Sequence, residues 1–163
     1  MRKRRRTTST NTTTIDVAAG TPFIDTSRDF DAAPERVFQA FTDPELVVKW
    51  LGPRRLEMRL ESYDARTGGS YRYTHLDGQG NEFGFRGVFH EVQEPLRIIQ
   101  TFEFDGAPGQ VTLDTTRFED LGGRTRVVQH SVFPSVEARD MAVASGMDAG
   151  IKESMDRLEE LLR

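Results

Sequence analysis

The 163-residue chain has no cysteine, a single tryptophan and three histidines. Without cysteine there can be no disulfide, thiolate metal ligand or cysteine nucleophile, and the composition fits a reducing cytoplasm. Long apolar runs are missing as well: no stretch approaches the roughly 18 to 20 apolar residues of a membrane-spanning helix. No integral membrane association is expected. His75, His90 and His130 fall in separate segments, none with a second histidine two or four residues away, which argues against a preorganised metal site. There is no Gly-x-Ser-x-Gly elbow and no Gly-rich loop ending in Lys-Ser/Thr. No catalytic residue is assigned and no cofactor is expected.

Charge is unevenly spread. The formal net charge is −4, yet Arg2, Lys3, Arg4, Arg5 and Arg6 precede the first acid, Asp16, leaving 17 basic against 26 acidic residues elsewhere. Residues 1–20, rich in Thr and Arg and without an apolar period, are expected to form a disordered tail. Residues 21–163 are expected to form one domain. Thr7 to Thr14, and not an apolar segment, follow the basic cluster, so it does not read as an export signal. Cytoplasmic placement follows as the expectation, with no specific nucleic-acid partner.

Within the body, a strand over 23–30 leads into Pro34 and Glu35, which suit the first turn of a helix over 34–41. Asp43-Pro44-Glu45 starts a second short helix to about Leu51, stopped by Gly52-Pro53. From Arg55 the apolar period becomes two. Turns rich in Gly, Asp and Pro recur every 12 to 15 residues and separate strands near 55–61, 70–76, 82–92, 96–104, 110–118 and 124–133. With 23–30 the count is seven, arranged as an antiparallel meander. Along 96–104, Leu96, Ile98, Phe102 and Phe104 share one parity, which only Gln100 interrupts.

Ser135 then caps a long amphipathic helix to Leu162, with Val143, Met147, Ile151, Met155, Leu158 and Leu162 in one stripe. Its length of about 42 Å exceeds the roughly 26 Å of an eight-residue strand, so it can cross the sheet. Gly146 and Gly150 read as points of close approach or bending. A terminal helix over a bent sheet leaves a space that side chains fill or a ligand occupies. Trp50, Tyr71, Tyr73, Phe85, Met147 and Ile151 are the expected walls, because they lie on elements that should converge there. His130, which shares a parity with Arg126 and Val128, is the expected polar anchor if that face looks inward. Carboxylate pairs such as Asp114 with Glu119 read as solvated.

Several stretches resemble one family: 28–45, Lys49-Trp50-Leu51-Gly52-Pro53, Gly68-Gly69-Ser70-Tyr71, Phe133-Pro134-Ser135 and 145–150. Together they are similar to the START-like helix-grip (SRPBCC) superfamily, in the branch named after the C-terminal domain of the activator of the heat-shock protein 90 ATPase. The resemblance spans about residues 23–162. It implies an α+β helix-grip fold: a seven-stranded curved antiparallel sheet, two short helices and a long C-terminal helix over a hydrophobic cavity. Members of the superfamily bind lipids, sterols, polyketides or hormones, and some are cyclases or hydratases. The expected function is therefore binding of a small apolar or amphipathic ligand, by a monomer or homodimer. A cofactor-independent cyclase or hydratase in the same cavity is the first alternative, and a chaperone-partner or regulatory module with a protein partner is the second.

Overall fold

The computed structural model describes residues 11–163. Pro34 occupies the first turn of α1 (Pro34–Thr42), where its missing N–H costs nothing, and Val37, Phe38 and Phe41 are buried on one face. Asp43 ends α1 and caps α2 (Pro44–Trp50), its carboxylate accepting the Glu45 N–H at 2.9 Å. Two helices thus turn a corner around one residue, and both face the sheet.

Among the described residues the chain forms eight strands: β1 (Thr14–Asp16), β2 (Phe23–Phe30), β3 (Glu57–Tyr63), β4 (Ser70–Leu76), β5 (Glu82–Gln93), β6 (Arg97–Phe104), β7 (Thr112–Asp120) and β8 (Thr125–Val132). All neighbours are antiparallel, in the order β1-β2-β8-β7-β6-β5-β4-β3. Strands β3 to β8 form the expected meander, and β2 closes against β8. The eighth strand corrects two expectations. Thr14–Asp16, assigned from sequence to a disordered tail, pairs with Asp25 to Ser27 and makes the sheet eight-stranded. Thr13 also accepts a hydrogen bond from Arg28 at 3.0 Å. Alternation of Ile15 between polar residues is too short a signal to read without its partner strand. The basic cluster Arg2 to Arg6 lies outside the described residues.

The single C-terminal helix is also corrected. It is two helices, α3 (Val136–Ala144) and α4 (Met147–Leu162), separated at Ser145-Gly146. Gly146 has φ 91°, a left-handed conformation that only glycine adopts without strain. A Cβ at Gly146 or Gly150 would meet nothing within 4 Å, so neither serves close approach. Gly146 serves as a joint.

One apolar core lies between the sheet and helices α1, α2 and α4. Phe38 and Phe41 meet Phe118 edge-on at 4.9 and 5.1 Å, and Phe41 packs on Trp50 at 4.7 Å. Met155, Leu158 and Leu162 complete it from α4. Polar ties hold α4 in place. Arg28, only 3% exposed on β2, bonds Asp156 at 2.5 Å and Glu159 at 2.8 Å. Ser154 accepts the Gly52 N–H, and Arg157 donates to the Gly52 and Lys49 carbonyls.

Candidate functional site

Strand register fixes which side chains look toward the helices. Arg28 reaches α4, so its face of β2 is the inner one, and the pairing carries that face across Val127, Phe118 and Ile98. Ile24, Ser131, Asp114 and Gln100 form another cross-strand row on the same face. Tyr71, Tyr73 and His75 face inward from β4, and Phe85 lies opposite Tyr73 on β5.

The inner face has two unlike parts. Beneath α1, α2 and the C-terminal half of α4, the side chains Phe30, Val37, Phe38, Val127 and Leu158 are at most 2% exposed. Farther along, Phe85, Gln100, Phe102, Asp114 and Ser131 also face inward but are only half-buried. Ile151, near the start of α4, is half-buried against the edge of the core. The inner face is therefore closed at one end and accessible at the other.

Asp114 is the chemically distinctive group of the accessible part. Its Oδ1 is enclosed and has no hydrogen-bond partner. Burial pushes its carboxyl up to about 6, against the lowering effect of a hydrogen bond from the Ser131 hydroxyl. Tyr71 and Tyr73 feel the same carboxylate, which adds to the effect of burial in pushing both phenols upward. The Tyr71 hydroxyl crosses β5 and donates to the Thr101 carbonyl at 2.5 Å. Gly87 makes this crossing feasible: a Cβ there would lie 2.5 Å from the Tyr71 hydroxyl.

The residues expected from sequence to form walls separate into groups. Tyr71 and Tyr73 are buried inward residues, 3% and 5% exposed, at the border of the accessible part, and Phe85 stacks on Tyr73 at 5.2 Å. Trp50 belongs to the closed core, and its indole N–H is spent on the Ala40 carbonyl at 2.8 Å. Ile151 and Met147 lie in the first turns of α4, partly exposed. His130 is on the opposite face of the sheet with Arg126, its Nδ1 2.6 Å from Asp25 Oδ1. It cannot anchor a molecule between sheet and helix. The reason is register: Val127, not Val128, shares the face of Phe118.

Asp114 was misread as solvated, although its parity with the core residue Phe118 places it inside. Gln100 gave a second signal, as the only polar residue in an apolar parity. His75 is buried against Gly52, its ring held down to about 4 by burial and by the Arg157 charge, partly offset by a hydrogen bond to the Leu51 carbonyl. It belongs to the closed part.

Two clefts lie elsewhere. One of about 390 Å³ is lined on the outer face by Arg59, Glu61, Arg72 and Asp105. Its charges neutralise one another, with Arg72 bonded to Asp105 at 2.5 Å and to Glu61 at 3.1 Å. The other, about 350 Å³, lies beside β1 and includes Asn11, Asp29 and Arg126. Arg126 and Asp29 again pair with each other.

A curved antiparallel sheet holding a C-terminal helix against its inner face defines the START-like helix-grip class. The family model for "Activator of Hsp90 ATPase homolog 1-like protein" matches residues 31–163, and the chain belongs to that family. No curated protein matches the sequence significantly. A crystal structure of a Rhodobacter sphaeroides protein is 27% identical, with TM-score 0.84, covering 92% of this chain and 97% of that one. A solution structure from Arthrobacter aurescens shares the fold at 24% identity and TM-score 0.85, covering 91% and 90%. DynU16, a protein of the dynemicin biosynthetic locus, shares it at 21% identity and TM-score 0.68, covering 86% of this chain and 47% of that one.

Proposed function

We propose that this protein binds a small apolar or amphipathic molecule between the sheet and the α3–α4 joint, over the inward face of β4 to β8. The observation that carries this reading is the accessible inner row of Gln100, Asp114 and Ser131, where an enclosed carboxylate oxygen lacks a partner. A buried polar atom left unpaired costs about 1 to 3 kcal/mol, and a bound molecule can relieve that cost. Phe85, Phe102 and Ile151 supply apolar walls, with Tyr71 and Tyr73 behind them. Met147, half-buried at the start of α4, is the further wall of this reading. Among the described residues no helix is long and apolar enough to cross a membrane. A cytoplasmic carrier or sensor is the form of this function that the cysteine-free composition favours.

A second reading has a specific observation behind it. A carboxyl raised to about 6 can both donate and accept a proton near neutrality, as a cofactor-independent cyclase or hydratase requires. The fold shared with a protein of the dynemicin biosynthetic locus is compatible with such chemistry. Native mass spectrometry of the purified protein tests the binding reading. A retained small molecule, lost on denaturation, is the expected result. Uniformly ligand-free protein that also fails to take up apolar probes would refute it.

A further inference from the structure

We infer that the ligand is recognised through a hydrogen-bond donor, an amine or a hydroxyl, presented to Asp114 from an aromatic or otherwise apolar body. This rests on the binding reading above and specifies the ligand class for the same site.

The argument is an inventory of the polar groups around the accessible part. From β7, Asp114 offers an oxygen that can only accept while ionised, and its Oδ1 has no partner. Ser131 of β8 stands opposite Asp114 in the cross-strand row. From β4, the Tyr71 hydroxyl gives its proton to the Thr101 carbonyl. Among the described residues the inward cations have their charges matched by acids, although Arg28 Nε and Arg139 Nε make no hydrogen bond. Arg28 is bound to Asp156 and Glu159, and the Trp50 N–H to the Ala40 carbonyl. Arg139 on α3 is engaged by Asp140 at 2.9 Å and by the Phe23 carbonyl. His130 and Arg126 lie on the far face of the sheet.

Among the described residues no cation acts on Asp114, so an incoming carboxylate would meet it with no positive charge close by to separate the two. Like charges in a poorly solvated site repel strongly. An incoming amine or hydroxyl would instead satisfy the orphaned oxygen. A site built to pair a ligand's donor discriminates sharply against ligands that lack it, because the buried acceptor is then left unpaired.

Three probes with one skeleton test this: naphthylmethylamine, naphthylmethanol and naphthoate, titrated into the wild-type protein at pH 8 and followed by calorimetry. The amine and the alcohol should each bind at least about tenfold more tightly than naphthoate. Asp114→Asn should bring the amine and naphthoate to within about threefold of each other. Ser131→Ala, which leaves the carboxylate in place, should keep the wild-type order. Naphthoate binding as tightly as the amine to the wild type would overturn the donor assignment and leave the pocket standing. So would an order of affinities unchanged by Asp114→Asn. If none of the three bound, the binding reading would fall, and this inference with it.

Discussion

The two ends of the concave face are built on the same strands and differ in what covers them. Under α1, α2 and the end of α4, aromatic and aliphatic side chains interlock, and the terminal nitrogens of Arg28 and the Trp50 N–H are paired within the fold, while Arg28 Nε and His75 Nε2 are not. Farther along the sheet, Gln100, Asp114 and Ser131 occupy equivalent inward positions, yet they are only half-buried and one oxygen remains unpaired. The closed end commits most of its polar groups to internal ties, whereas the open end leaves a carboxylate oxygen unpaired among half-buried side chains.

Truncation should separate the ends most clearly. Phe38→Ala, in the closed end, should cost about 4 kcal/mol by chemical denaturation, whereas Phe102→Ala, half-buried in the open end, should cost about 1 kcal/mol. Equal costs would mean that the two ends pack alike.

The next effect is a pH dependence located in the closed end. His75 is held down to about 4 from its ordinary 6.5, so the unfolded chain takes up a proton before the folded protein does. Its contribution is complete above pH 6.5 and is lost as pH falls toward 4. The loss is about 3 kcal/mol at most, and it should be missing in His75→Leu when urea stability is compared between pH 7 and pH 4.5.

Removing both acids that hold Arg28, with Asp156→Asn and Glu159→Gln together, leaves a buried guanidinium without a charge partner. About 2 kcal/mol should be lost, and amide exchange in α4 should accelerate before that in β7 and β8. Gly146→Ala is expected to have the smallest effect, about 1 kcal/mol, because alanine is strained at φ 91°. Its open surroundings exclude a clash, so a much larger loss would show that the joint also packs against something.

The sequence made the strands and short helices legible because their signals are local. Pro34, Pro44 and the Gly-rich turns mark boundaries that the structure reproduces within a few residues. Two fold-level features depended on partners. β1 is three residues long and exists through its pairing with β2, and the break at Gly146 interrupts an apolar stripe that is continuous in sequence. The shared inward face of Tyr71, Tyr73 and Phe85 was legible from the period of two on neighbouring strands. Which parity of β8 faces inward was not, since Val127 and Val128 are equally apolar and only pairing with Phe118 or Arg117 decides between them. That ambiguity left His130 open as an anchor, whereas Asp114 on β7 was not subject to it. The period of two counted back from Phe118 would have found the carboxylate.

The claim that the open end holds an enclosed, ligand-ready carboxylate is tested most directly by following the Asp114 side-chain carboxyl by NMR as pH is varied. The account predicts a midpoint near 6 in the free protein. A midpoint at its ordinary 3.8 would mean that Asp114 is solvated like any surface acid, and that the open end is simply exposed sheet.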